Sequence, residues 1–117
     1  MKINNLKFYF FIIFSLNLHS VEFLKVEDGF KIEVFVSNID TPRQIAESDA
    51  GNIFVGSRNG GTVSVIDANK NIRVIAEGLS NSTGVTYHNG DLYFSEVSSI
   101  WMIPNIDKAL LKSDEIP

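Results

Sequence analysis

Apolar and polar positions alternate in short bursts along most of this chain, and the bursts come in two matching sets. In the first, Ile45 and Ala46 precede a polar turn, Ile53, Phe54 and Val55 run into Gly56 and Ser57, and Val63, Val65 and Ile66 follow Gly60 and Gly61. In the second, Gly84 and Val85 precede His88, Asn89, Gly90 and Asp91, the run Leu92, Tyr93 and Phe94 ends in Ser95 and Glu96, and Ile100 to Ile103 closes the set. Ile45 stands 40 residues before Val85, Ile53 stands 39 before Leu92, and Val63 stands 37 before Ile100. A drift confined to the connecting turns is what a structural repeat shows. Runs this short, with Gly, Asn or Asp between them, predict strands and hairpins. All-strand repeats of about 40 residues are the pattern of propeller blades.

The first repeat, residues 43–77, predicts strands at 43–47, 52–58, 62–67 and 72–77. The second, residues 84–117, predicts strands at 84–88, 91–96 and 99–103, with its outermost strand lying beyond Pro117. The connectors 48–52, 59–61 and 68–71 each hold residues that accept positive φ, the chemistry of a meander. Upstream, Phe30, Ile32, Val34 and Val36 alternate with Lys31, Glu33 and Phe35 and predict a half-buried strand, stopped by Asp40, Thr41 and Pro42. Residues 105–111 predict one or two helical turns with Asn105 as N-cap. The expected fold class is all-β, a partial β-propeller of about two four-stranded antiparallel meanders. A ring closes only with about four blades or more, so residues 21–117 read as the amino-terminal fragment of a longer propeller domain.

Residues 1–20 have a different grammar. Lys2 and Lys7, an apolar run from Phe8 to Leu16 and a polar end at Asn17, His19 and Ser20 predict a secretory signal peptide and export to the periplasm or beyond. The run falls short of the roughly 20 apolar residues that span a bilayer.

Charge narrows the function classes. The 117 residues carry a net charge of −4, and setting aside Lys2 and Lys7 leaves 8 basic against 14 acidic residues. Nucleic-acid binding needs a basic stripe, and none is present. There is no cysteine, hence no disulfide frame, thiolate metal site or Cys nucleophile. HExxH, P-loop, GxSxG and EF-hand patterns are absent.

In an antiparallel meander the loop before the first strand and the loop between the second and third share one end. That end collects Arg43 and Gln44 with Ser57, Arg58 and Asn59 in the first repeat, and Asn81, Ser82 and Thr83 with Glu96 and Ser98 in the second. In propellers such loops surround the mouth of the central channel, where ligands sit. Arg43, Gln44 and Arg58 are therefore the cofactor-binding candidates, because a guanidinium presents a planar fork to carboxylates. The competing reading makes Arg58 a turn cap or the partner of Glu96, bridging adjacent blades. His88 falls in a turn at the opposite end, and Trp101 and Tyr93 sit at apolar strand positions that suit packing between blades. Asn81, Ser82 and Thr83 match the N-glycosylation sequon. No residue is assigned a catalytic or metal-binding role.

One resemblance adds to this reading. The ordered set Gly29-Phe30-Lys31-Ile32, Pro42-Arg43-Gln44, Ile53-Phe54-Val55-Gly56-Ser57-Arg58, Gly60-Gly61-Thr62-Val63, Gly78-Leu79, Gly84-Val85 and Asp91-Leu92-Tyr93-Phe94-Ser95-Glu96 resembles the amino-terminal part of the glucose/sorbosone dehydrogenase family. The resemblance covers about residues 29–110. It implies a six-bladed propeller, exported to the periplasm, that oxidises aldoses or sugar aldehydes with pyrroloquinoline quinone (PQQ) and calcium. It also implies that the catalytic His and most quinone and calcium ligands belong to later blades, outside this chain, so the fragment alone is expected to be inactive. Asn81, Ser82 and Thr83 occupy the loop where glucose-oxidising members carry a quinone-contacting Gln. In the same picture the strand at 31–36 closes the ring by pairing with the last blade. The expected partner is a small-molecule sugar or aldehyde. A non-catalytic binding propeller and a calcium-dependent lactonase-like propeller stay open as alternatives.

Overall fold

A computed structural model describes residues 24–112. The predicted leader lies outside the described residues. Residues 24–33 belong to a compact unit of their own, where the Phe30 amide donates to the Glu27 carbonyl at 3.1 Å and Lys31 pairs with Glu33 at 2.5 Å.

The second unit begins at Val34 and carries two antiparallel sheets. The first contains β1 (Pro42–Glu47), β2 (Ile53–Ser57), β3 (Thr62–Ile66) and β4 (Ile72–Ala76) in that spatial order, and the second contains β5 (Val85–His88), β6 (Asp91–Ser95) and β7 (Ile100–Ile103). Each strand begins and ends within one residue of the sequence expectation. Both sheets are meanders in which chain neighbours pair, and no strand joins one sheet to the other. The chain is thus all-β with two separate propeller-type sheets and a single short helix among the described residues, not one closed barrel.

The turns explain themselves locally. Asn89 and Gly90 both take positive φ, 50° and 92°, which is the two-residue hairpin geometry whose twist matches that of the flanking strands. Between β3 and β4, the Asp67 carboxylate accepts the Asn69 and Asn71 amides at 2.8 and 2.9 Å and the Asn71 side chain at 2.8 Å. An Asx-type turn of this kind replaces backbone pairing with a side chain.

Ladder register decides which residues share a face. Ile45, Val55, Ser64 and Val74 stand side by side on one rung of the first sheet. Val85, Phe94 and Trp101 do so in the second. These are the rungs that the 40, 39 and 37-residue offsets superpose. The opposite face of the first sheet, carrying Phe54, Val63 and Val65, packs on the rungs of Val85, Leu92 and Phe94, with Ile106 closing the core. Phe54, Val63, Leu92 and Ile106 are fully buried, each such large side chain contributing about 1.5–3 kcal/mol through lost apolar surface. The inner strands β1 and β5 are neighbours across this interface.

After β7, α1 (Ile106–Lys112) docks across both sheets. The Asn105 carbonyl accepts the Lys108 and Ala109 amides, as an N-cap should, at a φ of 47°. The Ile106 amide donates to the Gly90 carbonyl and the Asn105 amide to Asp91 Oδ1, both at 2.9 Å. Asp107 Oδ1 then accepts Ser48 Oγ at 2.7 Å and Asn52 Nδ2 at 2.9 Å, tying α1 to the first hairpin.

One expectation is corrected. Residues 30–36 enter no ladder, and Phe30, Val34 and Phe35 are well exposed. Alternation alone does not make a strand: the backbone groups need a partner edge, and among the described residues neither sheet pairs with residues 30–36.

Candidate functional site

The candidate residues belong to the end of the sheets away from α1. Pro42 pairs with Ser57 and Gln44 with Gly56, and the ladder slips between them, so Arg43 sits at an irregularity that breaks strict alternation. The Arg58 amide donates to the Thr41 carbonyl at 3.1 Å, and Thr41 Oγ1 accepts the Asn59 and Gly60 amides at 3.0 and 3.3 Å. Ser57, wholly buried, donates to the Asp40 carbonyl at 2.5 Å. The segment before β1 therefore clamps the β2–β3 turn. Arg43, Gln44 and Arg58 come to one end, all three exposed.

The second sheet adds its own loop to this end. A Cβ on Gly56 would lie 2.8 Å from the Thr83 carbonyl oxygen and 3.0 Å from that of Ser82. Only glycine admits that approach. The loop before β5 thus crosses directly over the rung of Gln44. Gln44 also lines a cavity of about 230 Å³ with Thr86, Tyr93, Ser95 and Ile100. Ser82 is wholly buried and its hydroxyl has no hydrogen-bond partner.

Glu96 resolves differently from its competing reading. Its carboxylate accepts the Ser80 amide and the Trp101 indole N–H, each at 3.1 Å, so Glu96 braces its own sheet rather than pairing with Arg58. Trp101 is 48% exposed and is not buried between the two sheets. His88 is exposed at the end of β5, with Nε2 3.0 Å from the Asn89 side-chain nitrogen Nδ2, at the end opposite to the candidates.

That opposite end holds what sequence reasoning missed. Besides the Asp107 knot, Tyr87 donates to Asp49 Oδ2 at 3.1 Å, and loss of solvent beside that carboxylate raises the Tyr87 pKa. The partners stand 38 to 59 residues apart, so no local spacing announces them. These groups satisfy one another and serve to join the sheets. No group of three or more His, Asp or Glu residues stands together as a metal site among the described residues, so none is assigned to calcium. No described helix is long and apolar enough to cross a membrane.

No family profile matches the sequence. A protein of Borreliella burgdorferi, described only as uncharacterized, is 37% identical over 108 residues, covering 88% of this chain and 28% of that protein. This chain spans little more than a quarter of that relative. Among solved structures, the PQQ-bound form of aldose sugar dehydrogenase from Streptomyces coelicolor is similar at 19% identity and a TM-score of 0.48, over 61% of this chain and 26% of that one.

Proposed function

We propose that this chain is the amino-terminal part of an exported β-propeller that oxidises a sugar or aldehyde with PQQ, and that its share of the work is to hold the cofactor. The observation that carries the reading is the convergence of Arg43, Gln44 and Arg58 on one end of the first sheet, with the loop before β5 laid over the same rung. The ordered short motifs along residues 29–110 support it.

The donor set suits the quinone's carboxylates. Arg43 and Arg58 present cationic forks that bind planar oxyanions in pairs of hydrogen bonds, and Gln44 offers an amide that both donates and accepts. The Thr41 clamp keeps the Arg58 turn in place before a ligand arrives, which lowers the ordering cost of binding. When bound, the quinone supplies the two-electron acceptor. The residues described here bind and orient, and the proton-abstracting group belongs to the rest of the longer protein.

The test is a titration of PQQ into the full chain, followed by fluorescence of Trp101, the one tryptophan of the sequence. Saturable binding is expected, and Arg58→Ala should weaken it roughly ten- to a hundredfold, the equivalent of losing a charge-assisted bond of about 1.5–3 kcal/mol. A titration that is unsaturable, or identical in Arg58→Ala, rejects the assignment.

A further inference from the structure

Two Asn-Gly pairs stand in the sequence, Asn59-Gly60 and Asn89-Gly90. A glycine after asparagine carries no Cβ to shield its own amide nitrogen, so that nitrogen can close on the asparagine side-chain carbonyl carbon, Cγ. The two pairs are alike on that count, and the fold separates them. The Asn59 and Gly60 amides both donate to Thr41 Oγ1, at 3.0 and 3.3 Å, and an added Cβ at Gly60 would collide with Ser57 Oγ. The nucleophile of the first pair is engaged and crowded. In the second pair Asn89 is exposed, nothing lies within 4 Å of where a Gly90 Cβ would stand, and the Gly90 amide has no acceptor among the described residues. One contact reaches the group that must leave: His88 Nε2 is 3.0 Å from Asn89 Nδ2.

We propose that Asn89 is a site of spontaneous deamidation, with His88 as proton donor to the leaving nitrogen, and that the isoaspartyl product releases α1. The Gly90 nitrogen, its proton taken by solvent, attacks Asn89 Cγ and forms the N–C bond of a succinimide. The Cγ–Nδ2 bond breaks as the imidazolium Nε2–H of His88 passes its proton to Nδ2, which departs as ammonia, and solvent reprotonates the ring. Imidazole is the side chain suited to carry such a proton near neutral pH. Water then opens the succinimide at either carbonyl, leaving aspartate or isoaspartate at position 89. The net change is gain of water and loss of ammonia, with no oxidant or reductant.

Isoaspartate routes the main chain through the former side chain and adds one methylene carbon between position 89 and Gly90. The length of a hairpin turn sets the register beyond it, and this turn also anchors the helix. The Gly90 carbonyl accepts the Ile106 amide and Asp91 Oδ1 the Asn105 amide, both at 2.9 Å. Lengthening the turn draws both acceptors away from the start of α1, where Ile106 is fully buried. This inference is independent of the quinone reading.

The test holds the full chain at neutral pH and follows it by tryptic mapping and by methyl transfer from a protein isoaspartyl methyltransferase. Peptides carrying Asn89 should gain about 1 Da and become methyl acceptors, while those carrying Asn59 stay unchanged. In denaturant the two sites should react at closely similar rates. His88→Gln, which keeps a polar side chain but no titratable ring, should slow the loss of Asn89 by about a hundredfold, the low end of what a positioned proton donor supplies. Amide exchange should show α1 unprotected in the isoaspartyl form, whereas Asn89→Asp, with an ordinary backbone, should keep it protected. Each of five results would overturn the proposal: an intact Asn89, an Asn59 that reacts as fast, a preference for Asn89 that persists in denaturant, a rate unmoved by His88→Gln, or equal α1 protection in the isoaspartyl and Asn89→Asp forms.

Discussion

The two sheets share rungs, turn chemistry and direction but not circumstance. In the first, β3 is flanked by β2 and β4, and Val63, Ser64, Val65 and Ile66 are all buried. Among the described residues its counterpart β7 has a neighbour on one side, and Ile100, Trp101 and Met102 are exposed. The same alternation in sequence thus yields a core strand in one place and a bare edge in the other. Burial belongs to the neighbours a strand finds, and the strand's own pattern only makes it eligible.

Three measurements press on that comparison. The largest effect should come from Phe54→Ala. Phe54 is fully buried in the core shared by both sheets, so truncation should cost about 3–5 kcal/mol and lower the denaturation midpoint of both sheets together. If amide exchange showed only the first sheet loosening, the shared core would be the wrong description. Asp107→Ala comes next. It leaves the nearly buried Ser48 hydroxyl without its acceptor, for about 1–3 kcal/mol, and should free α1 and the β1–β2 hairpin while leaving the β3–β4 pairing unaltered. Equal amide protection of α1 in mutant and parent would show the knot to be incidental.

The smallest effect is acid-dependent and confined to the first sheet. Hydrogen bonds from the Asn71 side chain and backbone, and then from the Asn69 amide, hold the Asp67 carboxyl below the usual carboxylate range. A depressed native value means that the contribution is complete above the ordinary carboxylate pKa and is lost as pH falls through the native one. Amides of β3 and β4 near this turn should therefore lose protection in acid before those of β5 and β6, and Asn71→Ala should shift the loss to higher pH. Protection that fades equally in both sheets would place the acid sensitivity elsewhere.

Much of this was legible in the residues. Asn89-Gly90, Asp67 with its two asparagines, and Gly60-Gly61 marked the turns, and the strands between them end within a residue of where the pattern put them. The placement of Arg43, Gln44 and Arg58 at one end followed from strand parity alone. Other features were not legible. The sequence offered Arg58 as a partner of Glu96, and only the positions of the Ser80 amide and the Trp101 indole showed that its carboxylate is engaged elsewhere. The bonds to Asp107 join residues more than fifty positions apart, and no periodicity encodes them.

What the sequence determined by itself is local: which stretches are strands, where they turn and which side chains alternate, because turn chemistry and period-two patterning act over a few residues. Tertiary structure decided which of those strands are core. Residues 32–36 and β4 have nearly the same pattern, but β4 has β3 beside it and residues 32–36 pair with no strand among the described residues. A backbone hydrogen bond needs two partners, and only the folded arrangement says whether the second one is there.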